Sequence, residues 1–111
     1  MASESLGSLE LTVVLAVARL GEEAYGLSVR RDLAARTGRD YSVGAVYTTL
    51  ERLEAKGFVS SRLSGPVARR GGRSRRQFRL TAAGQRAIAC AERTARQVWA
   101  GVGGFMRPET A

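Results

Sequence analysis

The chain has 111 residues and a mass of 11.9 kDa, which is room for one domain around one hydrophobic core. Its 44% hydrophobic and 25% charged residues suit a folded domain, but 18 Lys+Arg against 10 Asp+Glu leave a net charge of +8 and a pI near 11.2. With no histidine and only Cys90, the sequence excludes Ser-His-Asp and Cys-His catalysis, His-ligated or Cys-rich metal sites and an internal disulfide.

The first helix is predicted from Leu9 to Leu20, with Ser8 as N-cap, Glu10 on the positive end of the helix dipole and Gly21 as the stop. Val13, Val14 and Val17 would also suit a buried strand; length and the terminal glycine favour helix. A helix that is apolar all round must be covered on more than one side, and another subunit is one candidate cover. Its longest apolar run, Val13 to Ala18, falls well short of the roughly 20 residues of a transmembrane helix. The N-terminus lacks the basic residues of a signal peptide, since Glu4 precedes the first cation, Arg19. The expectation is a cytoplasmic protein with no membrane contact. Glu22 and Glu23 fall at a turn, where solvated charges are the ordinary reading, and no paired-carboxylate constellation supports an enzyme.

A basic second helix is predicted from Leu27 to Thr37, ended by Gly38. After a short turn, Ser42 caps a third helix that runs through Lys56, with Gly57 at C′ and Phe58 meeting Leu53 in a Schellman pair. Two short helices joined by a tight turn form a helix-turn-helix pattern. On the third helix Val46, Leu50 and Leu53 share a core face. Gly44, Thr48, Glu51, Arg52 and Ala55 share the opposite one, with Tyr47 at the boundary. That small, polar, flat face suits close approach to a major groove, or is a solvated surface. Ser42 can cap its helix and touch a phosphate at once. Arg52 either contacts a phosphate or pairs with a neighbour such as Glu51. Lys56 and Arg62 read as part of a general positive field.

Strands are predicted at Phe58 to Leu63 and Arg75 to Leu80. In the second, Phe78 and Leu80 share one face, Gln77 and Arg79 the other. The connecting loop, Ser64 to Ser74, is long for a hairpin. From Ala55 to Ala91 no residue is acidic, and every cation there except Lys56 is arginine, whose planar fork suits phosphates and base edges. Mutual repulsion in such a patch calls for a neutralising partner, a polyanion.

Thr81 caps a last helix, predicted from Ala82 to Val102. Ile88, Ala91, Ala95, Val98 and Val102 follow a three-four alternation that Phe105 would continue. The seam is too short for a free coiled coil, so it packs on something already folded. Trp99 lies beside it. Cys90 reads as a small packed residue. The fold class is mainly α with a two-stranded wing: a winged helix-turn-helix in 1–81, a C-terminal helix in 82–106 and a frayed tail in 107–111.

The order of these elements and three signatures resemble the PadR family of bacterial transcriptional regulators, in its short form with a single C-terminal helix. The first is Leu9-Glu10-Leu11 leading into an apolar helix and then Tyr25-Gly26. The second is Gly44-Ala45-Val46-Tyr47-Thr48-Thr49-Leu50 with Arg52-Leu53-Glu54 and Gly57. The third is Gly71-Gly72-Arg73-Ser74-Arg75-Arg76 running into Phe78-Arg79-Leu80-Thr81 and Gly84. Gln77 and Ser74 depart from the family pattern, which more often has an aromatic and a proline there, and Arg69 and Arg70 make the wing unusually basic.

The resemblance implies a homodimeric repressor on an inverted-repeat operator in double-stranded DNA. Ser42, Gly44, Tyr47, Thr48 and Arg52 would work from the recognition helix, and Arg73, Arg75 and Arg76 from the wing. The last helix, through Ile88, Ala91, Ala95, Val98, Trp99 and Val102, would dimerise against Leu11 and Val14 of the partner's first helix. Some short family members resemble sensors of flat aromatic molecules, so a second reading has Trp99 stack a planar aromatic effector that releases the DNA. The resemblance implies no cofactor. The alternative function is a basic nucleic-acid-binding protein without sequence choice.

Overall fold

A computed structural model describes residues 6–64 and 75–102. Four helices and a two-stranded antiparallel sheet follow the expected order: α1 (Ser8–Leu20), α2 (Gly26–Thr37), α3 (Val43–Ala55), β1 (Val59–Ser64), β2 (Arg75–Leu80) and α4 (Ala82–Trp99). The expected wing loop, with Arg73 and Ser74, lies outside the described residues.

Helix α1 begins one residue earlier than expected. Gly7, not Ser8, is the N-cap, and its N–H donates to Glu10 Oε1 at 2.8 Å. Helix α2 starts at Gly26, where Ser28 Oγ accepts from the Tyr25 N–H at 2.9 Å. Ser42 caps α3 as expected, accepting from the Ala45 N–H at 3.0 Å. The expected Schellman turn closes the helix: Phe58 N–H donates to the Leu53 carbonyl and Gly57 N–H to that of Glu54, each at 2.9 Å. Gly57 takes φ 84°, a left-handed conformation that side chains disfavour. Arg30 stitches the helix-turn-helix, donating to the Tyr41 carbonyl at 2.6 Å and to Asp40 at 3.2 Å.

The core joins α1, α2 and α3 to the sheet. Val13, Val14, Ala16 and Val17 of α1 meet Val29 and Leu33 of α2, Val46, Leu50 and Leu53 of α3, and Val59 and Phe78 of the strands. Val14 is 0% exposed, so it is a core residue of its own chain and not an available subunit contact. Leu11 and Leu15, on the outer side of α1, stay half-buried.

The strands pair in register from Val59 opposite Leu80 to Ser64 opposite Arg75. Strand β2 matches its expected bounds; β1 is shifted by one residue. Simple alternation puts Gln77 on the outward face, yet it is buried. The reason is a third piece of backbone beside β2: Tyr25 forms an antiparallel bridge with Gln77, and Phe78 N–H donates to the Ala24 carbonyl at 2.8 Å. The Gln77 amide then donates to the Glu22 carbonyl at 2.7 Å and accepts from Arg62 Nε at 3.1 Å. Arg62 is thus engaged at the root of the wing as well as adding to the field.

Helix α4 starts where Thr81 Oγ1 accepts from the Gly84 N–H at 3.0 Å. It ends at Trp99, three residues before the expected Val102, because Ala100 turns extended. Its first half packs on the core through Ala83, Ala87 and Ile88. Beyond Ala91 it is exposed throughout, and Cys90, expected to be packed, is exposed too. No helix among the described residues is long and apolar enough to cross a membrane.

Candidate nucleic-acid interface

The outer face of α3 is as the helical wheel draws it. Gly44, Thr48, Glu51, Arg52 and Ala55 are all exposed, while Val46, Thr49, Leu50 and Leu53 are buried. Tyr47 sits between the two sets and is held from two sides. Its ring meets Phe78 edge-on, with centroids 6.4 Å apart at 60°. It also lies so close over Gly26 that a Cβ there would overlap the ring. Two of the sequence signatures, Tyr25-Gly26 and the segment holding Tyr47, are therefore halves of one contact between α2 and the recognition helix.

Beside Tyr47 runs an open groove of about 850 Å³, bounded by the start of α2, the start of α3 and the two strands. Tyr25, Leu27 and Arg31 line one side, Val43 and Tyr47 another, and Leu63, Arg75 and Arg76 the third. Arg75 lies over the Tyr25 ring at 4.1 Å from its centroid, a cation–π contact that fixes the guanidinium at the groove. Arg76 donates to Ser61 Oγ at 2.9 Å, and Ser61 donates in turn to the Glu54 carboxylate at 2.9–3.0 Å. That chain ties the two strands to α3.

The ion pairs sort the cations into two groups. Asp32 holds Arg19 and Arg36, Asp40 holds Arg30, Glu92 holds Arg96 and Glu10 holds Lys56 at 2.7 Å. Lys56 is thus a structural partner rather than part of a diffuse field. The Lys56 ammonium and the Gly7 N–H together hold the Glu10 carboxyl below its ordinary range. The hydrogen bond from Arg19, with the nearby Arg36 charge, does the same for Asp32. Arg31, Arg39, Arg52, Arg62, Arg75, Arg76, Arg79, Arg86 and Arg93 have no carboxylate ion pair among the described residues. Arg52 does not pair with Glu51. These unpaired cations are spread over α2, the α2–α3 turn, α3, both strands and α4; of them, Arg31, Arg75 and Arg76 meet in the groove.

Of the expected DNA-contacting residues, Tyr47, Arg75 and Arg76 line the groove, with Gly44, Thr48 and Arg52 on the adjoining exposed face and Ser42 at its edge. Arg31, Leu27, Val43 and Leu63 also belong there and went unremarked in the sequence, because only the folded chain brings α2 and β1 alongside α3. At the other end of the molecule Val98 and Trp99 are 69% and 51% exposed, with Ala95 and Val102 also exposed. Ile88 and Ala91 are half-buried. No group of His, Cys, Asp and Glu among the described residues could hold a metal ion.

Several solved structures share this architecture. A PadR family transcriptional regulator from Eggerthella lenta DSM 2243 is 27% identical, with 92% of this chain and 90% of that one aligned at a TM-score of 0.66. A PadR-like transcriptional regulator (BC4206) from Bacillus cereus strain ATCC 14579 is 20% identical, with 93% and 95% covered and a TM-score of 0.71. A PadR family transcription regulator from Clostridium difficile R20291 is 20% identical, with 91% and 100% covered and a TM-score of 0.69. None of the curated proteins matches the chain. The model of the transcriptional regulator PadR-like family matches residues 14–90, which take in the second half of α1, all of α2 and α3, both strands and the first half of α4. The chain therefore belongs to the PadR-like family of transcriptional regulators, and it is a winged-helix regulator, not an enzyme.

Proposed function

We propose that the protein is a sequence-specific DNA-binding repressor that acts as a homodimer in the bacterial cytoplasm, on an inverted-repeat operator. The observation that carries the reading is the meeting of Arg31, Arg75 and Arg76 in the groove beside Tyr47, with Arg52 on the adjoining exposed face of α3, all four without a carboxylate ion pair among the described residues. A phosphate backbone neutralises such a set, and each phosphate contact adds about 0.9 to the slope of log affinity against log salt. Sequence choice comes from Gly44, Tyr47, Thr48 and Arg52, with Ser42 at a phosphate. Arg73, Arg75 and Arg76 extend the contact along the wing.

Residues 82–106 form the dimerisation unit in this reading. Its support is the apolar strip Ala95, Val98, Trp99 and Val102, exposed in the single chain, together with the half-buried Leu11 on α1. Trp99 is then an interface residue; the second reading has it stack a planar aromatic effector instead. Such an effector shifts the dimer only by its differential affinity for the DNA-competent and released states.

Fluorescence anisotropy with DNA from upstream of the protein's own coding region, beside a scrambled duplex at about 150 mM salt, tests the reading. A preference of about 1,000-fold supports a specific regulator. Equal binding to both, and to a random duplex pool, would favour a basic nucleic-acid binder without sequence choice. No binding to either would refute the assignment of the arginine face.

A further inference from the structure

Six large apolar side chains of the described residues are exposed, and they fall into two groups. Val98 and Trp99 close α4, and Val102 lies three residues beyond its end. The others, Leu27 at 46%, Val43 at 46% and Leu63 at 61%, come from α2, α3 and β1, yet all three line the single groove beside Tyr47. Isolated apolar residues on a surface need no explanation, but three converging from separate elements do. Arg31, Arg75 and Arg76 share the groove with a single carboxylate, Glu23, and leave it net positive, so its occupant is both anionic and in part apolar. A DNA strand is such an occupant: charged at phosphate, apolar at deoxyribose and at the thymine C5-methyl.

Val43 holds a particular place among the three. It is the first residue of the recognition helix, directly after the Ser42 cap. The leading turn of such a helix is the part that reaches base edges. Beside it Gly44 is exposed, with nothing within 4 Å of where a Cβ would stand, so the backbone there is open to close approach. Polar side chains at this end could read donors and acceptors. A branched aliphatic one has nothing to offer them, and the complementary feature in the major groove is the thymine methyl.

We propose that Val43 is a specificity-determining residue that recognises a thymine C5-methyl at the edge of each operator half-site, with Leu27 and Leu63 excluding water from the adjoining strand. The proposal rests on the DNA-binding reading above and adds a base preference to it. Burying one methyl group is worth about 0.8 kcal/mol, so removing it should weaken binding about four-fold.

The experiment begins with selection of bound duplexes from a randomised library by the full chain. In the most enriched duplex each thymine is then replaced in turn by deoxyuridine, which deletes only the methyl group. The expected result is one thymine per half-site whose replacement weakens the wild-type protein about four-fold. In Val43→Ala, thymine and uracil at that position should bind alike. Leu63→Ala should keep the discrimination. Val43 is exposed, so Val43→Ala should retain the wild-type Tm and salt slope. Selective binding that tolerates uracil everywhere would overturn the role of Val43 and leave the regulator reading standing. So would a uracil penalty that survives in Val43→Ala. A library that yields no enriched sequence would overturn both.

Discussion

Gly26→Ala is ordinarily a stabilising kind of change, since alanine is favoured over glycine in a helix by up to about 1 kcal/mol. Here the sign should reverse. A Cβ on Gly26 would overlap Cζ, Oη and Cε2 of Tyr47. These atoms are the far end of a side chain, so the ring can swing away, but only by leaving its edge contact with Phe78. Such a contact is worth about 0.5–1.5 kcal/mol, and overpacking of this kind costs about 1–3 kcal/mol. The propensity gain is small at the first helical position, so the net expectation is a loss of about 1–2 kcal/mol. Urea unfolding at fixed protein concentration reads this as a midpoint lowered by roughly 1 M for a domain of this size. In a Tyr47→Ala background the alanine has room, and the same substitution should become neutral or mildly stabilising. A double-mutant coupling above about 1 kcal/mol is therefore expected. If Gly26→Ala is harmless alone, or equally harmful without Tyr47, the close packing of α2 against the recognition helix is not what the glycine serves.

The remaining predictions concern other parts of the molecule. Gly84→Ala should destabilise more, by about 2–4 kcal/mol, because its Cβ would meet the Phe58 carbonyl, which is backbone, as well as Leu80; thermal unfolding checks it. Lys56→Met should cost about 2 kcal/mol at neutral pH, between a surface pair and a fully buried one. Glu10 and Asp32 are both shifted down in the folded state. Their contribution is complete above the unfolded carboxylate values near about 4 and is lost as pH falls through the folded ones, so acid titration of stability should be shallower in Lys56→Met. Arg31→Ala should lower the salt slope of DNA binding by about 0.9 with little change in sequence preference. On the proposed homodimer reading, Val98→Glu should sediment as a monomer where the wild type sediments as a dimer, and a monomeric wild type would remove the basis for that reading.

Local rules carried most of the fold. The Ser42 and Thr81 caps, the Schellman turn at Gly57 and the bounds of β2 each follow from residues a few positions apart, so they were legible directly. The errors lie where distant segments meet. Gln77 read as outward because period-two alternation knows nothing of the Tyr25 backbone lying beside β2. Lys56 read as one charge among many because its partner, Glu10, is 46 positions away. Val14 read as a subunit contact because a helix that is apolar all round does not say which side its own chain covers. Half of the candidate site was visible in the same way: the face of α3 is periodic and local, whereas Arg31 and Leu27 reach the groove only through the helix-turn-helix packing.

The bridge between Tyr25 and Gln77 has a consequence for solubility. A two-stranded sheet normally presents two open edges, each a template on which another chain can add a strand. Here the corner between α1 and α2 lies against the outer edge of β2, with Phe78 N–H already bonded to Ala24 and the Gln77 side chain fastening the corner in place. Among the described residues that leaves β1 as the edge open to lateral pairing, a strand of six residues that carries Arg62. A short, charged edge pairs poorly with its own kind. The two strands can therefore stand at the surface without offering the sheet as a seed for aggregation.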